Sequence, residues 1–143
     1  MTRQQRMMRN AIDHVNCVAG QPRDVQKKYG GLCHNFPVMI RQCGLCQAMA
    51  FMASKGEEPH RLILDHAQEQ LGLRQQNGQL RAPAEFAQLV AGWGASEYAL
   101  KTRLTLQAFT FYKRFAESIL DVKAGEGLED AAEREEPGEE GTP

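Results

Sequence analysis

Residues 38–54 read VMIRQCGLCQAMAFMAS, and apolar side chains dominate this stretch. No polar residue interrupts it between Gln47 and Ser54. A helix that is apolar on most of its sides is usually the buried, central helix of a domain. Lys55 and Gly56 then follow in the order expected at a helix end, a cation near the last carbonyls and then a glycine. The stretch therefore predicts one central helix, around which the other helices pack.

The first 19 residues predict an amphipathic helix from Thr2 to Ala19. Its apolar residues recur at spacings of four, three and four, which is the pattern of one helix face. We expect that face to contain Met8, Ile12, Val15 and Ala19, with Ala11 and Val18 beside them. Gly20 and Pro22 end the helix, because glycine suits the left-handed C-terminal position and proline cannot continue the helix.

A second helical segment begins near Arg23 or Asp24 and meets the pair Gly30-Gly31 and then Pro37. Two interpretations stay open. The helix runs through these residues with a kink, or it ends and a new helix starts with Pro37 in its first turn, where the missing N–H costs nothing.

Three further helices are predicted downstream, beginning at Glu58, near Ala82 and at Ser96, the last running to about Val122. Two adjacent apolar seams follow the last helix, so we expect it to contact neighbours on more than one side. Its polar stripe is narrow and contains Arg103, Gln107, Thr110, Arg114, Glu117 and Asp121.

Because no segment alternates with a period of two, the predicted fold class is all-α. We expect a single-domain bundle of about five to six helices over residues 1–124. Residues 125–143 contain eight acidic residues and one basic residue, which predicts a disordered acidic C-terminal tail. Residues 1–124 then hold 16 basic and 10 acidic residues, a formal charge of +6. This asymmetry favours contact with nucleic acid.

Neither a membrane span nor a secretory signal is expected. The chain has no apolar run near the ~18 residues that a span needs. The basic N-terminus, Met1 to Arg6, lacks the hydrophobic stretch that follows in a signal peptide. We therefore expect a cytoplasmic protein that does not bind a membrane.

The pair Cys43 and Cys46, in the pattern Cys-Gly-Leu-Cys, is the sharpest chemical motif. It is compatible with a thiol redox site or with half of a zinc site completed by Cys33, His34 or Cys17. A redox motif of this kind is expected in a βαβ context, which the sequence does not show. A closed zinc site usually has a second close-spaced pair of ligands, which is also missing. Free cysteine also packs as a small apolar side chain, which is the interpretation we favour, with no metal and no cofactor. The alternative function is a small helical sensor or enzyme that uses these two thiols.

No enzymatic apparatus is recognisable in the sequence. It contains no phosphate-cradling glycine loop, no His-Glu-x-x-His motif and no nucleophile elbow. The histidines are scattered, and neighbouring pairs such as Asp13 with His14 do not face each other on a helix. The prediction is a protein that is not an enzyme and has no catalytic residues.

Basic residues on the predicted helices are the candidates for contact with nucleic acid. Arg3 and Arg6 lie on the first helix, and Arg103 and Arg114 lie on the polar stripe of the last helix. Phosphate binding requires several cations to converge in space, which sequence does not reveal. The candidates are Arg3, Arg6, Arg23, Lys27, Lys28, Arg41, Arg103 and Arg114.

Two motifs resemble a known family. The first runs from Tyr29 through Ile40 and continues as Gly44-Leu45-Cys46-Gln47-Ala48-Met49-Ala50-Phe51, and the second is Phe111-Tyr112-Lys113-Arg114-Phe115-Ala116. Together they resemble the small helical subunit of type III-B CRISPR effector complexes, the Cmr small subunit. The resemblance covers most of residues 1–124. Cys43 and Cys46 are unusual within the motif.

The resemblance implies a noncatalytic protein of antiviral defence. Members of this family stack along the backbone subunits that hold the guide RNA, and they help to form the groove of the guide–target duplex. The expected partners are the other Cmr subunits, copies of the chain itself, guide RNA and target RNA. Gly44 and Gln47 are expected to have structural roles.

Overall fold

The computed structural model describes residues 1–127, and all regular secondary structure in this part of the chain is helical. Six helices follow one another: α1 Arg3–Val18, α2 Arg23–Cys43, α3 Leu45–Lys55, α4 Glu58–Gln70, α5 Pro83–Ala91 and α6 Ala95–Ser118. The predicted all-α class and the predicted number of helices are confirmed for these residues. The tail predicted from residue 125 lies outside the described residues from position 128 onward. Up to residue 127, no helix is long and apolar enough to cross a membrane.

Helix α1 begins as predicted, but the set of residues that it buries differs from the predicted set. The Thr2 hydroxyl accepts from the Gln5 N–H, and the Gln5 side chain accepts from the Thr2 N–H, so that two otherwise unpaired donors are satisfied. Met8 is 40 % exposed, and the predicted face is wrong there and at Ala19. The buried residues are Met7, Ala11, Val15 and Val18. Both sets fit a helical period, so the neighbouring helices decided between them.

Helix α2 runs through Gly30, Gly31 and Pro37 without ending, which resolves the two sequence interpretations in favour of a continuous helix. A side chain at Gly30 would place its Cβ 2.6 Å from the Cβ of Val122. Gly30 is therefore required for close packing of the segment that follows α6, and it does not end the helix.

The predicted single helix over residues 38–54 is wrong, because the chain breaks at Gly44. Its φ of 90° belongs to the region that glycine adopts without steric cost. The Gly44 N–H closes α2 on the Ile40 carbonyl at 2.8 Å, and α3 then starts in a new direction. Val38 before the break and Phe51 after it are 41 % and 37 % exposed. Gly44 has the expected structural role, whereas Gln47 is exposed.

Helices α2 and α6 pack antiparallel through the centre of the molecule. Near one end of the pair, the Cys46 N–H at the start of α3 donates to the Tyr98 hydroxyl at 3.0 Å. In the middle, the rings of Phe36 and Phe109 lie 5.1 Å apart, and further along His34 lies 3.9 Å from Glu117. The start of α2 and the end of α6 are therefore at the same end of the molecule.

Helix α6 confirms its predicted polar stripe for the five residues from Arg103 to Glu117, which are all exposed, whereas Asp121 is exposed but lies beyond the end of the helix. The helix itself begins at Ala95 with Gly94 as its N-cap, and it ends at Ser118. The predicted extension to Val122 is wrong. Asp121 adopts a φ of 58°, the chain turns back, and Val122 becomes buried against α2.

Candidate nucleic-acid interface

The eight basic candidates do not form one cluster. The structure distributes them over three places: the surface between α1 and α6, the first turns of α2, and the last turn of α2. All are exposed except Lys28, which is half-buried. The three places differ in whether their cations already form ion pairs or hydrogen bonds with other groups of the protein. This difference distinguishes the candidates from one another.

We define the α1–α6 basic face as Arg3, Arg6, Arg103 and Arg114. Arg3 lines a depression of about 440 Å³ together with Gln107 and Thr110 of α6. Arg103, Gln107, Thr110 and Arg114 are spaced at helical intervals along the same exposed stripe, since residues three and four apart are neighbours on a helix surface. Arg6 lies one turn further along α1, and the exposed acids Glu117 and Asp121 continue the stripe beyond Arg114. Within the described residues, none of the four arginines forms an ion pair with a carboxylate.

The cations in the first turns of α2 are partly engaged. The Arg23 guanidinium donates to the Leu120 carbonyl at 2.6 Å and to the Asp121 carbonyl at 3.3 Å. It therefore satisfies carbonyls at the C-terminal end of α6, where a cation also interacts favourably with the helix dipole. Lys28 Nζ lies 3.5 Å from the Glu57 carboxylate. Lys27 lines the same depression as Asp24 and Glu57, so this region holds both signs of charge.

Arg41 stands apart from the other candidates. It lies in the last turn of α2 and is exposed. A cation in this position is favourable for the helix itself, because it faces the negative end of the helix dipole. Its place near the α2–α3 break puts it at the opposite end of α2 from Arg23 and Lys27.

The cysteines separate into different environments. Cys33 is fully buried, and burial raises the pKa of its thiol. Cys43 and Cys46 are exposed on either side of Gly44, so the prediction that both pack in the core is wrong for this pair. The break at Gly44 turns these positions toward solvent. In the described part of the chain, no three His, Cys, Asp or Glu side chains come together as metal ligands.

A partly buried cluster of histidines and tyrosines is the main feature that sequence reasoning missed. The rings of His14 in α1 and His66 in α4 stack with centroids 4.1 Å apart. Tyr112 in α6 lies 2.6 Å from His14 Nδ1, and Tyr29 in α2 lies 2.7 Å from His66 Nδ1. The other ring nitrogen of His14 lies 2.5 Å from the Glu69 carboxylate. The cluster joins four helices through polar contacts, and no local spacing in the sequence announces it.

The protonation states of the cluster follow from burial. Burial, with a smaller contribution from His14, lowers the pKa of His66 to about 3. His66 is therefore neutral at pH 7, and its Nδ1 accepts the hydrogen bond that the Tyr29 hydroxyl donates. Burial also raises the pKa of both Tyr29 and Tyr112, so that both hydroxyls keep their protons. Tyr112 additionally accepts from the Gln70 amide at 3.1 Å.

The depressed pKa of His66 predicts a loss of stability in mild acid. The unfolded chain takes up this proton near pH 6.5, whereas the folded chain does so only near pH 3. Stability is therefore full above pH 6.5 and falls as the pH decreases through this window, by about 1.4 kcal/mol per unit for one group. We expect the free energy of unfolding to drop by roughly 2 kcal/mol between pH 6.5 and pH 5 from this residue.

Urea unfolding at several pH values measures this effect. In His66→Gln, which does not titrate, the slope of stability against pH should decrease by about 1.4 kcal/mol per unit. An unchanged slope in the variant would show that other groups cause the acid sensitivity.

Comparison with known proteins gives one consistent result. The model of the CRISPR-associated protein family Cas_Cmr5 matches residues 3–119. The CRISPR system Cmr subunit Cmr5 of Thermus thermophilus is 33 % identical over 94 residues, which are 66 % of this chain and 76 % of that protein. The X-ray crystal structure of a CRISPR-associated Cmr5 family protein, also from Thermus thermophilus, matches with a TM-score of 0.71 at 29 % identity, covering 83 % of this chain and 97 % of that one. Because the family model spans most of the helical bundle, the chain belongs to the Cmr5 family of CRISPR-associated proteins.

Proposed function

We propose that this protein is a noncatalytic small subunit of a type III-B CRISPR effector complex and helps to hold the duplex of guide RNA and target RNA. The observation that carries this role is the α1–α6 basic face. Its four arginines are exposed and have no carboxylate partner in the described residues. Several cations on one surface are what phosphate binding requires, because each phosphate contact releases about one counterion.

Contact with the RNA backbone is sufficient for this role. In RNA-guided complexes the sequence is read by base pairing, so a subunit beside the duplex needs only phosphate and sugar contacts. Arginine suits such contacts, since its planar guanidinium presents several N–H donors to phosphate oxygens. Gln107 and Thr110 lie between Arg103 and Arg114 on the stripe and add neutral hydrogen-bonding groups.

The partly buried histidine–tyrosine cluster supports a structural role for its members. Both ring nitrogens of His14 are engaged, one by Tyr112 and the other by Glu69. Nδ1 of His66 is engaged by Tyr29. A general base must be within hydrogen-bond reach of a substrate proton, and these nitrogens face other side chains of the same fold. The cluster therefore links helices, which fits a protein without a reaction of its own.

Contacts with other subunits are assigned to exposed apolar residues. Val38, Phe51 and Leu100 are each more than a third exposed, although they belong to three different helices. Met1 and Met8 are exposed on the α1 side. Exposed apolar surface of this kind serves association, and a repeated head-to-tail contact produces an open array along an extended duplex. The partners are the backbone subunits of the Cmr complex and further copies of this chain, in the cytoplasm.

Affinity purification of the tagged chain from its source cells tests this function. Mass spectrometry of the bound proteins and sequencing of the bound RNA should show several larger subunits together with repeat-derived guide RNAs. An untagged strain processed in parallel is the control for background binding. A clean monomer with neither RNA nor larger subunits would contradict the proposal. Stoichiometric zinc in that monomer would instead favour a site at Cys43 and Cys46.

A further inference from the structure

The depression of about 440 Å³ between the start of α1 and the middle of α6 has a mixed lining. Its volume is within the range of protein sites that hold a small molecule. Among the residues that the structure describes, no acid lines it. We call it the α1–α6 depression, and its lining includes Arg3, Gln4, Met7, Gln107, Thr110 and Phe111. It therefore combines two apolar side chains, several uncharged polar groups and one cation.

Phe111 supplies the aromatic surface of the α1–α6 depression. Its ring is half-buried, because it packs partly against the hydrophobic core and also lines the depression. Met7, which is 5 % exposed, lines the depression from the α1 side. Accessible aromatic rings bind unpaired nucleotide bases by stacking, since every base has a flat π-face. In a continuous duplex these faces are covered by the neighbouring base pairs, so only an unpaired base can use this surface.

The uncharged polar groups of the depression match the edge of a base better than they match a phosphate. The side-chain amides of Gln4 and Gln107 are exposed, and each amide presents both donors and acceptors. The Thr110 hydroxyl donates to the Gln107 carbonyl at 2.6 Å, so it offers its lone pairs as an acceptor. Base edges carry both donors and acceptors, whereas phosphate oxygens are acceptors. The polar lining therefore favours a base.

Arg3 sets the charge at the α1–α6 depression. It is exposed and forms no ion pair within residues 1–127. Glu117, the first acid of the α6 stripe, follows Phe111 by six residues, which is about 9 Å along the helix. Its carboxylate lies 3.9 Å from His34 of α2. Arg3 is therefore available to the phosphate of a nucleotide whose base occupies the depression.

We propose that the α1–α6 depression binds one unpaired base of a single-stranded RNA segment, with the base stacked on Phe111 and its phosphate held by Arg3. The inference rests on the proposed function, because it adds a base contact to the face whose arginines contact phosphates. It gives this face a preference for locally unpaired RNA over a continuous duplex. The amides of Gln4 and Gln107 accept or donate as required, so the depression tolerates different bases.

Binding of an oligouridylate of about 12 nucleotides tests the inference, and an abasic phosphodiester of the same length and charge is the second ligand. Phe111→Leu keeps an apolar side chain but removes the ring, so oligouridylate should bind about tenfold more weakly. Binding of the abasic ligand should not change. The slope of log K against log salt should also stay at its wild-type value, because stacking releases no counterions. Fluorescence anisotropy titrations measure both ligands.

Two further variants separate the base contact from an effect on the fold. Phe115→Leu removes a half-buried ring one turn further along α6 that does not line the depression, and it should change the affinity by less than about twofold. Phe111→Tyr retains a ring that can stack and should keep the wild-type affinity. Equal losses in Phe111→Leu and Phe115→Leu would contradict the inference.

The variant Phe111→Trp reports the contact directly, whatever the stability of Phe111→Leu. Trp93 is the only tryptophan of the chain, so Phe111→Trp combined with Trp93→Phe places a single indole in the depression. Oligouridylate should quench its emission, and the abasic ligand should not. Equal quenching by both ligands, or none although both bind, would overturn the inference and leave the phosphate role of the arginines standing. Failure of the wild type to bind either ligand would contradict that role as well.

Discussion

Replacing Arg3, Arg103 and Arg114 together by glutamine is expected to weaken binding of single-stranded RNA by about 10²-fold at about 50 mM salt. Each phosphate contact contributes about 0.7 to the slope of log K against log salt for a single strand, so the slope should decrease by about 2. The three side chains are exposed and make no ion pair in the described residues, so the fold should be unaffected. Anisotropy titrations at four salt concentrations measure both quantities.

A charge-matched control comes from the other candidates. Lys27, Lys28 and Arg41 replaced by glutamine remove the same total charge, but Lys28 is already beside Glu57, and Arg41 is at the opposite end of α2. We expect this triple variant to lose much less affinity and to keep most of the salt slope. Equal losses in the two variants would mean that only net charge matters, and the α1–α6 basic face would have no special role.

Replacing Gly30 by alanine is expected to destabilise the protein by roughly 1 to 3 kcal/mol. The new Cβ would lie 2.6 to 2.9 Å from three side-chain atoms of Val122. Either Val122 leaves its buried position or α2 moves away from it. Urea unfolding measures the loss of stability at pH 7.

Two further variants identify the clash as the cause. Val122→Gly removes all three clashing atoms, so adding Gly30→Ala in that background should stabilise the protein by about 0.5 to 1 kcal/mol through helix propensity. Gly20→Ala is the matched control, because its Cβ would find its nearest neighbour at 3.5 Å, an ordinary contact. If Gly30→Ala destabilises the wild type and the Val122→Gly variant equally, the contact between position 30 and Val122 is not the cause.

The family and the class of the fold could be predicted from local patterns alone. The Gly44-to-Phe51 motif needs no three-dimensional information, and the match over residues 3–119 confirms the family it indicated. The exposed stripe of α6 was also predictable, because five polar residues at helical spacing beside two apolar seams leave one direction for solvent.

The sequence predicted the candidate residues of the site, but it did not predict which of them share a surface. Arg3, Arg103 and Arg114 carry the same sequence signal as Lys27 and Lys28, namely a cation on a helix. Lys28 differs from these arginines because it lies 3.5 Å from the Glu57 carboxylate, and Glu57 is 29 residues away in the sequence. The same holds for His14 and His66, whose stacking brings together residues of α1 and α4.

The sequence by itself determined that this chain folds into helices, which positions can be apolar, and which family it resembles, because helical periodicity and motif spacing are local properties of the chain. Only the tertiary structure decided which of two possible faces of α1 is buried, that α2 continues through Gly30 while the chain breaks at Gly44, and which cations share a surface. These outcomes depend on contacts between residues distant in sequence. Val122 against Gly30 and Tyr98 at the start of α3 are two such contacts, and no local pattern contains them.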